Sequence, residues 1–180
     1  MYKHRNYLIF CFFILVMGAC AQSKNDGPII KGFGEVYEVR EPDFILTGNR
    51  ELKVVFDVYK SGDTPTGLNK SMETAARFLN MHAQNGIPKE RMYVAVVVHN
   101  EAAKDVLSDT AYQKEYGMDN PNTGLLKALL EADVQVILCG QSAAARGFAK
   151  EELQTGTQVA LSAMSALLQL DGEGYVILKL

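Results

Sequence analysis

The chain has 180 residues, 48% of them hydrophobic and 22% charged, with a formal net charge of −3. That size and apolar content suit one domain with a buried core and exclude a disordered, collagenous or disulfide-dense chain. A mildly acidic balance without a basic tract argues against nucleic acid as a partner, because phosphate binding needs clustered Lys and Arg.

Residues 1–20 fall into three parts: basic Lys3, His4 and Arg5, apolar Tyr7–Met17, and small Gly18-Ala19 before Cys20. This is the order of a secretory signal, and the apolar run is short for a membrane span. Small residues directly before a cysteine resemble a bacterial lipoprotein signal, with Cys20 as the lipidated residue, although Met17 stands where that pattern usually has Leu. Ordinary cleavage after Ala19-Cys20-Ala21 is the alternative. The expectation is an exported protein: a lipoprotein anchored in a membrane and facing the periplasm or the outside, otherwise a periplasmic protein. Cys11 would leave with the signal, and Cys20 would be acylated or terminal. Cys139 then remains the only thiol of the folded domain, which leaves no internal disulfide and no cysteine-cluster metal site.

Residues 21–50 read as a tether, rich in Gly, Asn and Ser at its start, with a possible edge strand at Glu35–Val39. Residues 51–180 read as the domain. Leu52–Tyr59 is a strand, broken by Ser61-Gly62-Asp63-Thr64-Pro65. A helix follows over Leu68–Asn85, with Leu68, Met72, Ala75, Ala76, Leu79 and Ala83 at helical spacing and Gly86 and Pro88 as its stop. Met92–Val98 is an unbroken apolar run, hence a strand buried on both faces. Short helical segments come next at Glu101–Leu107 and Thr110–Tyr116, then a helix at Thr123–Ala132. Val134–Cys139 is the third strand, followed by a helical region from Ala143, a longer helix at Thr157–Gln169, and a last strand at Tyr175–Leu178. Alternating strands and helices predict an α/β fold: a three-layer sandwich with a mainly parallel central sheet flanked by helices.

In such a sheet, ligand sites lie beyond the carboxyl ends of the strands. Cys139 stands at such an end, with Gly140 allowing a close turn and Ser142 able to begin a helix. A thiol near a helix N-terminus is favoured as thiolate, and Arg146, a turn further on, could add positive charge. The competing reading is a buried cysteine acting as a small hydrophobe. His99 ends the second strand in the same way, after Val96-Val97-Val98, so imidazole and thiol would share one rim if the strands are neighbours. The competing reading is a loop histidine satisfied by hydrogen bonds. His82 reads as structural, and Asp57 as either paired or near the rim. No Walker loop, zinc helix or calcium loop is present, and no metal or cofactor is expected.

The residues Val54-Val55-Phe56-Asp57, Val96-Val97-Val98-His99, Asn120-Pro121 before a Leu-rich helix, and Leu138-Cys139-Gly140-Gln141-Ser142 with Arg146-Gly147 carry a resemblance. Over Leu52–Leu180 the chain resembles the DsrE/DsrF-like proteins of sulfur metabolism. The resemblance implies an α/β sandwich, assembly into homo-oligomers (trimers or hexamers), and sulfur held as a persulfide on the cysteine matching Cys139. No resolving cysteine is at hand, so a relay would need a thiol or sulfur-donor protein, or small thiols. Three readings are carried forward. One is a sulfur carrier or thiol-redox protein of the cell envelope, with Cys139 and His99 catalytic and Gly140, Ser142 and Arg146 supporting. The second is a non-catalytic oligomeric module binding a small molecule or partner, with Cys139 structural. The third is a thiol hydrolase.

Overall fold

The computed structural model describes residues 23–46 and 49–179. The expected signal segment 1–20, with Cys11 and the lipidation of Cys20, lies outside the described residues.

Five strands, β1 (Leu52–Val58), β2 (Met92–Val98), β3 (Gln135–Cys139), β4 (Gln158–Ala160) and β5 (Val176–Lys179), form one sheet in the order β4-β3-β2-β1-β5. Every neighbouring pair is parallel. The main helices are α1 (Lys70–Gln84), α2 (Asp109–Tyr116), α3 (Thr123–Glu131), α4 (Gly140–Arg146) and α5 (Ala163–Gly172).

The two-residue period of a strand sorts its side chains onto two faces. Val54, Phe56 and Val58 of β1, Val94, Val96 and Val98 of β2, and Val136 and Leu138 of β3 pack with Met72, Leu79, Leu125 and Leu129 of α1 and α3. Val55, Ala95, Val97, Ile137 and Cys139 point the other way, onto Ala163, Ala166 and Leu170 of α5. Both faces are covered, which is why the inner strands read as continuous apolar runs. The expected three-layer α/β arrangement is the one observed.

Local chemistry fixes the helix ends. Asn69 caps α1 by accepting from Met72 N at 3.0 Å, and Gly86 (φ +85°) takes the left-handed turn that lets the chain leave it. His82 is structural, as expected: its Nδ1 lies 2.8 Å from Phe78 O and its ring packs on Phe78.

Three segments differ from their sequence-based expectation. The helix placed at Thr157–Gln169 is divided: Gln158–Ala160 is the edge strand β4, paired with Ile137–Cys139, and the helix begins only at Ala163. Ser162 and Ser165 cap that start reciprocally, side chain to backbone in both directions, which stops the helix from extending backwards. The helical region expected from Ala143 starts at Gly140, directly after the strand.

The expected tether is docked over residues 25–36, while residues 37–46 are exposed. The Asn80 side chain accepts from Ile29 N and Ile30 N at 3.2 and 2.8 Å and donates to Ile30, Phe33 and Gly34 carbonyls. Ile30 enters the core, and Asn25 and Val36 form an isolated antiparallel bridge in place of a sheet strand at Glu35–Val39.

Candidate functional site

The chain passes β1, β2, β3 and β4 in one direction and then returns to place β5 beyond β1. After β3 it enters α4, whose Ala143 packs in the α1/α3 core; after β4 it enters α5 on the opposite face. Adjacent strands whose chains leave to opposite faces open a crevice at their carboxyl ends. Cys139 sits in that crevice.

Its neighbours come from every strand of the sheet. The register Val98↔Leu138 sets His99 beside Cys139, Asp57 pairs with Lys179, and Cys139 pairs with Ala160. Lys179, Asp57, His99 and Cys139 therefore cross the rim as a row on four adjacent strands, and all four line a pocket of about 360 Å³. Gln141, Ser162, Ala163, Met164 and Leu167 complete its wall. The structure thus brings Cys139 and His99 to one site.

Cys139 is 5% exposed and occupies the N-cap position of α4, where the thiol itself makes no capping hydrogen bond. Burial, the largest influence, would push the thiol up; the Ser142 hydroxyl and amide and the amides of Ala163 and Gln141 outweigh it and hold the thiol below its ordinary value. Amides from the starts of two helices, α4 and α5, thus favour negative charge on one sulfur. Gly140 makes this approach possible. A Cβ there would lie 2.6 Å from the Ala160 carbonyl oxygen, so any side chain would push β4 and the start of α5 away.

His99 Nε2 lies 2.8 Å from Asp57 Oδ1, and Lys179 Nζ lies 3.7 Å from Asp57 Oδ2. Ser142 Oγ accepts from Asn100 N at 2.9 Å, which leaves the hydroxyl proton for the sulfur. Arg146 works on the loop: its Nε donates to Asn100 O at 3.0 Å, and it is not among the main groups that lower the thiol. Between them Ser142 and Arg146 bracket Asn100, a non-glycine residue with φ +51° directly after His99.

Lys179, Ser162 and the Ala163 amide were not singled out in the sequence. The first is one lysine on a short edge strand, and the others depend on where α5 starts. The Asn120-Pro121 pair is structural: Asn120 Nδ2 donates to Asp105 O and Leu107 O, tying the stretch after β2 to the start of α3.

Among solved structures, a protein of unknown function from Methanobacterium thermoautotrophicum is similar at 18% identity and TM-score 0.50, over 72% of this chain and 100% of its own. The ychN protein from E. coli is similar at 17% identity and TM-score 0.53, over 72% of this chain and 99% of its own. Both likenesses concern the fold. No curated protein matches the chain significantly. The family model for DsrE/DsrF-like proteins matches residues 53–180, the sheet from the second residue of β1 onward with its helices and the pocket. The chain belongs to the DsrE/DsrF-like family.

Proposed function

We propose that this protein carries sulfur, or exchanges it with thiols, through Cys139. The single observation that supports this most is the lowered thiol in the crevice between α4 and α5. In the loading step the Cys139 thiolate attacks the outer sulfur of a donor persulfide. A bond forms to Sγ, the donor S–S bond breaks, and the donor leaves as a thiolate. In the unloading step an acceptor thiolate attacks the outer sulfur and the Sγ–S bond breaks, so Cys139 leaves as the thiolate that the Gln141, Ser142 and Ala163 amides favour. His99 takes the proton of the incoming thiol, and neither step draws electrons from outside the two sulfur partners.

The same reading places the protein in the cell envelope, as a lipoprotein anchored through Cys20 or as a periplasmic protein. It serves there with a thiol or sulfur-donor partner and as a homo-oligomer, a trimer or hexamer. Leu161, Met164 and Leu168 form an apolar, well-exposed stripe beside the pocket, which supports association.

The test is polysulfide treatment of residues 21–180, which hold Cys139 as their only cysteine, followed by intact mass. One added sulfur on Cys139, absent in Cys139→Ser, is expected; equal loading of the variant contradicts the reading. The low exposure of Cys139 favours a second reading, a binding module in which the thiol is packing. That reading expects Cys139→Ala to keep partner binding and assembly.

A further inference from the structure

Asp57 lies within β1 and is 7% exposed. On the same face of the sheet its neighbours are Val55, Val97 and Ile137, so the α5 side of the core would accept an apolar residue at this position. A carboxylate placed there costs desolvation free energy unless it is paired. It is paired on both oxygens, with His99 Nε2 on Oδ1 at 2.8 Å and Lys179 Nζ near Oδ2 at 3.7 Å. Both partners line the pocket that contains Cys139.

We propose that Asp57 is a positioning residue of this site: it holds His99 as the Nε2–H tautomer and so leaves Nδ1 as the base for a thiol entering the pocket. The proposal deepens the sulfur-transfer reading and rests on it. An ionised carboxylate can only accept, so the ring nitrogen bound to it carries the proton. A neutral imidazole has one N–H, and its other nitrogen is then the acceptor. When an incoming thiol is activated, its S–H bond breaks and an Nδ1–H bond forms. The thiolate attacks the outer sulfur of the protonated persulfide, the Sγ–S bond breaks, and Cys139 leaves as the thiolate. The released persulfide keeps its own proton, and Nδ1 returns the proton it took to solvent. While the ring holds that proton, the Asp57 carboxylate lies in contact with it.

Lys179 adds a positive charge 3.7 Å from the second oxygen, from a side chain that is 77% exposed. The charged or titratable groups facing His99 are Asp57 from β1, with Lys179 of β5 behind it, Tyr59 after β1 with its ring centroid 6.2 Å away, and Cys139 from β3. From α5 and its cap the pocket receives Ser162, Ala163, Met164 and Leu167, none of them charged.

The test reads the imidazole by nitrogen NMR on residues 21–180, at a pH where the ring is neutral. Wild type is expected as the Nε2–H tautomer. In Asp57→Asn the population shifts towards Nδ1–H, because the new amide can donate to Nε2. Sulfur transfer from the polysulfide-loaded protein to a small thiol is expected to fall about 100-fold in that variant, the lower end of what a positioned base contributes, and Asp57→Glu to recover part of it. An Nδ1–H tautomer in wild type would overturn the proposal, with no variant needed. Wild-type transfer by a folded Asp57→Asn would overturn it as well. If wild type shows the Nε2–H tautomer but never loads sulfur, the sulfur reading fails and the orientation of His99 by Asp57 stands.

Discussion

The Ser142 hydroxyl accepts a hydrogen bond from the Asn100 amide at 2.9 Å. This contact joins α4, which begins beside the thiol, to the loop that carries His99. The same hydroxyl is the first of the groups that lower Cys139. Ser142 therefore links the two strand ends that form the site.

Ser142→Ala should raise the thiol and slow alkylation of Cys139 below its new titration point. It also leaves the Asn100 amide without its acceptor, a loss of about 1 kcal/mol in denaturant unfolding. An alkylation profile identical to wild type would show that the hydroxyl does not act on sulfur.

Gly140→Ala should be costly although alanine is the better helix former. The added methyl meets the backbone oxygen of Ala160, and relief requires β4 to move. A destabilisation of about 1–3 kcal/mol is expected, and the thiol should rise as the Ala163 amide recedes. Alkylation measured against pH, with urea unfolding, checks both.

The lowered thiol also makes stability depend on pH. A thiol whose folded value lies below its unfolded value, near 8.5, stabilises the fold fully above the unfolded value. That contribution fades as pH falls through the folded one. Cys139→Ser should therefore cost more stability at alkaline pH than at mildly acidic pH, read from unfolding midpoints across the range. A pH-independent difference would contradict a lowered thiol.

Asp105 tests the structural knot behind the rim. It is fully buried and accepts from Ser61 Oγ, Asn69 Nδ2 and Lys104 Nζ. Burial pushes Lys104 down, and Asp105 and Tyr112 together more than compensate, so the ammonium is held charged. Asp105→Ala removes the anion and leaves a largely buried cation unpaired, at a cost of about 3–5 kcal/mol. Thermal unfolding measures it, and a loss below about 1 kcal/mol would show that water replaces the carboxylate.

The architecture was legible where apolar runs are long. Val94–Val98 and Val136–Cys139 have no alternation, which only a sheet covered on both faces explains. β4 was hidden because three residues, Gln158-Val159-Ala160, make no run and precede a helix whose own start depends on Ser162 and Ser165. The docking of the N-terminal segment was hidden for another reason. One residue of α1, Asn80, serves the backbone of Ile29 through Gly34, and the three apolar residues of that loop, Ile29, Ile30 and Phe33, show neither strand nor helix spacing. Cys139 and His99 were found because each ends a strand. Their arrangement with Asp57 and Lys179 was not, since strand order decides which ends are neighbours.

The most direct measurement is the alkylation rate of Cys139 against pH in folded residues 21–180, where it is the only cysteine. The account predicts a thiolate that titrates below the ordinary value of about 8.5 and reacts in the native protein. A thiol that stays unreactive until denaturant is added would contradict it and make Cys139 part of the packing under α5.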